Sequence, residues 1–314
     1  MKVSTYRLLL LLAGVLSAAS FALGQVSATV EAPKSDVIDA CRLICDIRHL
    51  SSDEMEGRSA ERPSIFKARD FVEQRFRESG LEPMGRSFKQ EFRITQPLTE
   101  ETLLGVNFIG VIKGGGKADK YIVITAHYDH VGIRNGDIYN GADDNASGTA
   151  ALFAIAKYFS GNKPDHSLIF VAFDAEERGL QGARHFVANL PVAKESILLN
   201  INMDMISRND KGELYAAGTF HYPQFKPALE KVRKTAPVKL LLGHDIPGTG
   251  RDDWTNQSDH AAFHRAGIPF IYFGVEDHKD YHRPTDTFEN IQPEFYVKAV
   301  ETIIEAVKEV DGRR

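Results

Sequence analysis

Only two cysteines and one tryptophan occur in the 314 residues, and beyond the first two dozen positions no apolar run approaches the ~18 residues a membrane-crossing helix needs. A disulfide framework is therefore excluded as the main source of stability, and so is a bundle of membrane spans. Dense positive charge is also missing. The formal charge is −5 and no Lys/Arg cluster interrupts the chain, which argues against nucleic acid as a partner. Cys41 and Cys45 have no nearby His to complete a zinc ribbon. Four apart on a helix, they approach the ~6.8 Å Cα limit for a disulfide with poorly aligned Cβ vectors; an oxidised pair and two core thiols are both open. There is no internal repeat, low-complexity tract or long linker, so residues 25–314 are read as one domain.

What the chain does contain is ordinary globular material, 43% hydrophobic and 26% charged, enough for a large core. Its first residues read as a secretory signal. Lys2 and Arg7 precede an apolar stretch over 8–15, and Ala22-Leu23-Gly24 offers a small-residue cleavage site before Gln25. The expected product is an exported chain, periplasmic or extracellular, without a membrane span. Ser35-Asp36 is expected to cap a helix carrying Val37, Ile38, Cys41, Ile44 and Cys45. Strands over 88–94 and 103–112 suggest a hairpin or a pair. From residue 121 onward, apolar strands (121–127, 168–173, 197–205, 270–273) alternate with helices (146–159, 180–189, 223–235, 295–310), the pattern of an α/β protein with parallel pairing and helices on both sheet faces.

The run Tyr121-Ile122-Val123-Ile124 ends in His127-Tyr128-Asp129-His130, so polar groups sit where a buried strand leaves the sheet. Open α/β sheets bind ligands there. Groups of metal-ligand type come from five places: His127-x-Asp129, Asp143-Asp144-Asn145, Glu176-Glu177, Asp204 and His282. Four of the five follow or end a buried strand, where an unpartnered carboxylate costs several kcal/mol and a divalent cation would neutralise it. Imidazole mixed with carboxylate points to zinc, with cobalt or manganese as substitutes. Asp143 to Gly148 half matches a calcium loop, but the twelfth position is Ala154 where a Glu is required. Singly, most of these groups have plainer readings: His127 as a core histidine, Asp143-Asp144-Asn145 as a helix cap, Glu176-Glu177 as a solvated first turn. Asp204, between Met203 and Met205, resists one. His130, His244, His260, His264 and His278 read as surface or supporting residues. Spacing leaves His282 and His260 both open as the last ligand.

Together, AHYDH, GADDNASG, FDAEERGLQGARHF, NINMDM, SDHAAF and DYHRPTDT resemble the M28 family of zinc-dependent aminopeptidases, from about residue 107 to the end. The resemblance implies a mixed, mostly parallel central sheet sandwiched between helices, with two zinc ions at the strand ends. It implies Asp143 as the bridging carboxylate, His127 and Asp204 completing one ion, Glu177 and His282 the other. Glu176 would be the general base, Asp129 would fix the His127 tautomer, and Tyr281 would stabilise the oxyanion. The family's protease-associated insert is not expected, because residues 53–103 are too few to hold it. The implied activity is removal of N-terminal residues from peptides with a free N-terminus, by water activated between two zinc ions. Glutaminyl cyclisation on the same fold and a noncatalytic metal-containing binding protein are the alternatives. Phe220, Tyr222, Trp254 and the Gly-rich stretch 243–259 are candidates for lining the side-chain pocket.

Overall fold

The structure, a computed structural model, describes residues 32–95 and 102–312; the expected leader over 1–24 lies outside them. Its β-branched and aromatic runs form strands β1 (Glu82–Pro83), β2 (Lys89–Ile94), β3 (Leu103–Ile112), β4 (Lys117–His127), β5 (Gly132–Arg134), β6 (Asp137–Tyr139), β7 (His166–Phe173), β8 (Ile197–Met203), β9 (Glu213–Ala217), β10 (Lys239–Leu242) and β11 (Phe270–Gly274). Nine of them make one sheet in the order β1-β3-β7-β4-β8-β11-β9-β10, with β2 also on β3, while β5 and β6 form a separate hairpin. The four central strands β7, β4, β8 and β11 run parallel, so His127, Phe173, Met203 and Gly274 all end at one edge. Antiparallel neighbours flank them, β3 on one side and β9 on the other. The mixed, mostly parallel sheet expected above is the one observed.

Helices cover both faces, as continuous apolar strands require. On one side, α1 (Ala40–Leu50), α2 (Ile65–Glu78), α3 (Gly148–Gly161) and the 19-residue α7 (Pro293–Asp311) close the larger core around Phe76, Phe153, Phe159 and Tyr296, with two residues of α5 (Lys226–Arg233) at its end. On the other side, α4 (Gln181–Ala188) and α6 (His260–Arg265) bring Phe186 and Phe263 onto Val123, Val171 and Phe173. No helix of the described residues is long and apolar enough to cross a membrane.

Local chemistry moves some expected boundaries. The cap of α1 is Asp39, whose carboxylate accepts the Arg42 N–H at 2.9 Å; the Ser35 hydroxyl instead accepts from Val37 and Ile38 in a turn before it. The buried face of α1 is Leu43, Ile44, Ile47 and Leu50. Cys41 and Cys45 therefore point outward, exposed and unbridged, neither core thiols nor a disulfide.

Arg58 leads the largest fully buried side chains. Its guanidinium donates to four carbonyls: Tyr128 at 2.7 Å, Leu50 and Asn140 each at 2.6 Å, and Gly141 at 2.8 Å. One side chain thus ties the end of α1 to the exit of β4 and to the loop that opens α3. Burial lowers its pKa to about 10, offset in part by the carboxylates of Asp144, Asp286, Asp129 and Glu177. Because each orphaned buried carbonyl costs ~1–3 kcal/mol, Arg58→Met is expected to lower stability by about 3 kcal/mol or more, read as a drop in the urea midpoint.

Candidate metal centre

At the carboxyl edge of the parallel strands the chain leaves β4 through His127-Tyr128-Asp129-His130, β7 through Asp174 to Glu177, β8 through Asp204, and β11 through the loop to His282. The backbone there is left-handed at Ala175, Leu180, Met205 and His282, a conformation that costs a side-chain-bearing residue ~1 kcal/mol or more and that clusters at functional sites. Asp129 fixes the glutamate turn. Its carboxylate accepts the Glu176 N–H at 3.0 Å and the Glu177 N–H at 3.3 Å.

Asp144 lies at the centre. One of its oxygens is 3.5 Å from His127 Nε2, which is itself 3.4 Å from Asp204. The other is 3.0 Å from His282 Nε2 and 3.8 Å from His130 Nδ1. Glu177 Oε1 stands 2.8 Å from His130 Nδ1 and 3.3 Å from His282 Nε2. Two groups with metal-ligand geometry result, His127/Asp144/Asp204 and His130/Asp144/Glu177, sharing Asp144. Donor atoms held at ~2.0–2.2 Å by one tetrahedral ion stand ~3.3–3.6 Å apart, close to most of these spacings. Among the described residues, His127 Nε2, both nitrogens of His130, Glu177 Oε1 and Asp204 Oδ1 are buried with no hydrogen-bond partner, in spite of polar atoms beside them. Neighbours that are near but misdirected for hydrogen bonds are what ligands aimed at a shared point look like. The residues present fit zinc.

The structure corrects the expectation for Asp143. That carboxylate accepts the Ser207 N–H and hydroxyl, both at 2.7 Å, and faces His278 Nε2 at 2.9 Å. Both of its oxygens are engaged, and Asp144 takes the shared position. Asp286 aims the pair by accepting the N–H of Asp143 at 2.9 Å and of Asp144 at 3.0 Å; the Asp144–Asn145 peptide is cis. The role expected of Asp129 also shifts. His127 Nδ1 faces the Asp129 backbone carbonyl at 3.1 Å, whereas the carboxylate is 3.8 Å away, too far for a hydrogen bond. Of the histidines read as surface or supporting residues, His130 and His260 are buried, and His278 contacts Asp143. His127, Glu177, Asp204 and His282 are brought together as expected. Glu176 and Tyr281 line the adjoining cavity of about 240 Å³ with Glu177, Asp204 and His282, and Trp254 forms part of its wall. Phe220 is exposed and Tyr222 pairs with His264, both away from that wall.

The electrostatics follow from crowding. Burial pushes the Glu176 carboxyl well above its usual range, with His127 opposing and Asp259, Asp204 and Glu177 adding. Burial raises Asp129 in the same way. For His127, burial favours the neutral ring, but Asp204, Glu176 and Asp144 hold it well above the ordinary value. Burial would raise Glu177 too, but the imidazoles of His130 and His282 beside its carboxylate hold it well below the usual range. His282 rises to about 10 against its burial, through Asp144 and Glu177. Asp259, in the Ser258-Asp259-His260 turn, is fully buried with neither oxygen hydrogen-bonded among the described residues, and burial raises it to about 7.

Sequence reasoning passed over His130, Asp144, Asp259 and Asp286. All four sit inside motifs already singled out, and only the side-chain partners separate Asp144 from Asp143.

The profile of Peptidase family M28 matches residues 107–307. Aminopeptidase YwaD of Bacillus subtilis (strain 168) is 31% identical over 218 residues, covering 65% of this chain and 44% of that protein. The chain spans about half the length of the curated relatives it matches. Among solved structures, BSAP, a zinc aminopeptidase from Bacillus subtilis, superposes with a TM-score of 0.54 at 28% identity, over 67% of this chain and 53% of that one. Porphyromonas gingivalis glutaminyl cyclase superposes with a TM-score of 0.71 at 17% identity, over 88% of this chain and 100% of that one; at that identity the likeness shows the fold alone.

Asp259 generates a pH dependence in the metal-free protein. Its folded pKa of about 7 exceeds the ~3.9 of an unfolded chain, so folding stability falls as pH rises from about 4 to about 7 and the penalty is complete above that. Asp259→Asn is expected to melt higher than the parent at pH 8 in chelator, the gap closing by about pH 4. An equal gap at both pH values would contradict it.

Proposed function

The chain belongs to peptidase family M28, and from that premise we propose that it is an exported metallopeptidase that removes N-terminal residues from peptides, using two zinc ions held on either side of Asp144. The observation that carries this reading is the sharing of Asp144 between two groups of buried, otherwise unpartnered donors. His127 and Asp204 would complete one ion, Glu177 and His282 the other, with cobalt or manganese as substitutes. When bound, such ions supply Lewis-acid activation of the water nucleophile and of the scissile carbonyl.

The chain's own groups divide the remaining work. Glu176 lines the cavity with a carboxyl made more basic by burial; it takes the water's proton and passes it to the leaving amine. Asp129 holds Glu176 and Glu177 in register through their backbone N–H groups. Tyr281, kept protonated by burial and by the carboxylates of Asp144, Asp204 and Glu177, is the proposed hydrogen-bond donor to the oxyanion. The peptide's ammonium group faces the acidic wall of the cavity, which is why a free N-terminus is required. Export rests on the Lys2/Arg7 segment, the apolar run and the small-residue site before Gln25, with residues 25–314 as the mature single domain.

Zinc-loaded protein is expected to cleave a dipeptide amide and to leave its N-acetylated form intact. Cleavage of neither, with zinc bound, would favour cyclisation or a binding role. Glu176→Gln is expected to retain both ions while losing ~10²–10⁴ in kcat; near-parental turnover would remove Glu176 as the base. Asp144→Asn is expected to release both ions on dialysis, whereas Asp143→Asn keeps them, measured by metal analysis. The reverse ranking would restore Asp143 as the bridge.

A further inference from the structure

Three carboxylates and two histidines suffice for the two proposed ions, yet a third imidazole stands at the same place. His130 is 2% exposed, and both of its ring nitrogens lack a hydrogen-bond partner among the described residues. Its Nδ1 lies 2.8 Å from Glu177 Oε1 and 3.8 Å from Asp144 Oδ2, the same two oxygens that His282 Nε2 approaches at 3.3 and 3.0 Å. At 2.8 Å the Glu177 oxygen is near enough for a hydrogen bond but wrongly directed for one. That combination is unexplained if the ring is a donor to Glu177. The nitrogen's distances to the two oxygens, 2.8 and 3.8 Å, bracket the ~3.3–3.6 Å that separates neighbouring corners of one coordination shell.

The ring is also held in place. Gly141 has φ +57°, and a Cβ there would lie 2.5 Å from His130 Cδ2 and 2.2 Å from the Asp144 carbonyl. Only glycine lets the Asp144 loop lie flat against the imidazole. The His130 N–H reaches the Arg58 carbonyl at 3.4 Å, so the residue that anchors the loop anchors His130 as well.

We propose that His130 is a ligand of the second ion, which then has an all-protein shell of Asp144, Glu177, His282 and His130. This inference rests on the two-ion reading above. It makes the two positions unequal. Four protein donors close the second, whereas the His127/Asp144/Asp204 position keeps a place for water or substrate, and closed shells are those of tightly held ions while open ones serve catalysis. The ion at His130 is retained against chelators, and the ion at His127 exchanges.

X-ray absorption on the parent protein carrying one equivalent of zinc tests this without a variant. Outer-shell scattering from two imidazoles is the expected result; one imidazole overturns it. Competition with a chromophoric chelator supplies the second readout. The parent is expected to release zinc in two phases, and His130→Ala to weaken the tight phase at least ten-fold while leaving the other unchanged. Release of both ions in step, or no change in the tight phase, overturns the proposal. A saturating stoichiometry of one zinc in the parent would instead fail the two-ion reading itself, so the two failures are distinguishable.

Discussion

The structure at the strand edge depends on one constraint: several carboxylates are crowded into a space from which most water is excluded. Asp129, Asp144, Glu176, Glu177, Asp204 and Asp259 approach one another around the ends of β4, β7 and β8, while Arg58 is the fully buried guanidinium that faces them. Buried charge of one sign is tolerated only when protons or cations neutralise it. Without cations the carboxyls are pushed in opposite directions, Glu176, Asp129 and Asp259 upward by burial and Glu177 downward by the imidazoles beside it. Divalent ions relieve that strain in one step, which is why the same residues that destabilise the metal-free fold can define a reactive centre.

Much of the remaining architecture serves to hold Asp144. Its loop cannot run as a regular helix start, because residues 142–147 must turn two successive carboxylates in opposite directions, Asp143 toward Ser207 and His278, Asp144 toward His127 and His282. Asp286, just before α7, accepts both backbone N–H groups. Arg58, from the segment between α1 and α2, binds the carbonyls on either side of the Asn140-Gly141 peptide. Elements distant in sequence therefore converge on one loop, and the parallel strands fix the histidine and the carboxylates that face it.

How much of this was legible in the sequence depends on the range of the interaction involved. The alternation of β-branched runs and amphipathic stretches revealed the parallel centre, because burial on both faces leaves a local imprint. His127, Glu177 and Asp204 were legible for the same reason: charged residues at strand exits stand out against the apolar runs before them; His282 was set apart from His260 only by the family resemblance of DYHRPTDT. Asp143 and Asp144 were not separable, since adjacent residues of one type differ only in partners 14 to 138 positions away. His130 read as a surface or supporting residue because nothing local reports Gly141 packing flat on its ring. The cysteines of α1 were misjudged because each sits one position past a buried residue, Cys41 after Ala40 and Cys45 after Ile44, and a helix rotates by ~100° per residue.

The central claim is that one carboxylate, Asp144, holds two ions at once. Anomalous diffraction at the zinc edge from crystals of the zinc-loaded protein tests it most directly. Two peaks flanking the Asp144 side chain, one beside His127 and Asp204 and one beside Glu177 and His282, are predicted. A single peak, or a pair bridged by Asp143, would contradict the account.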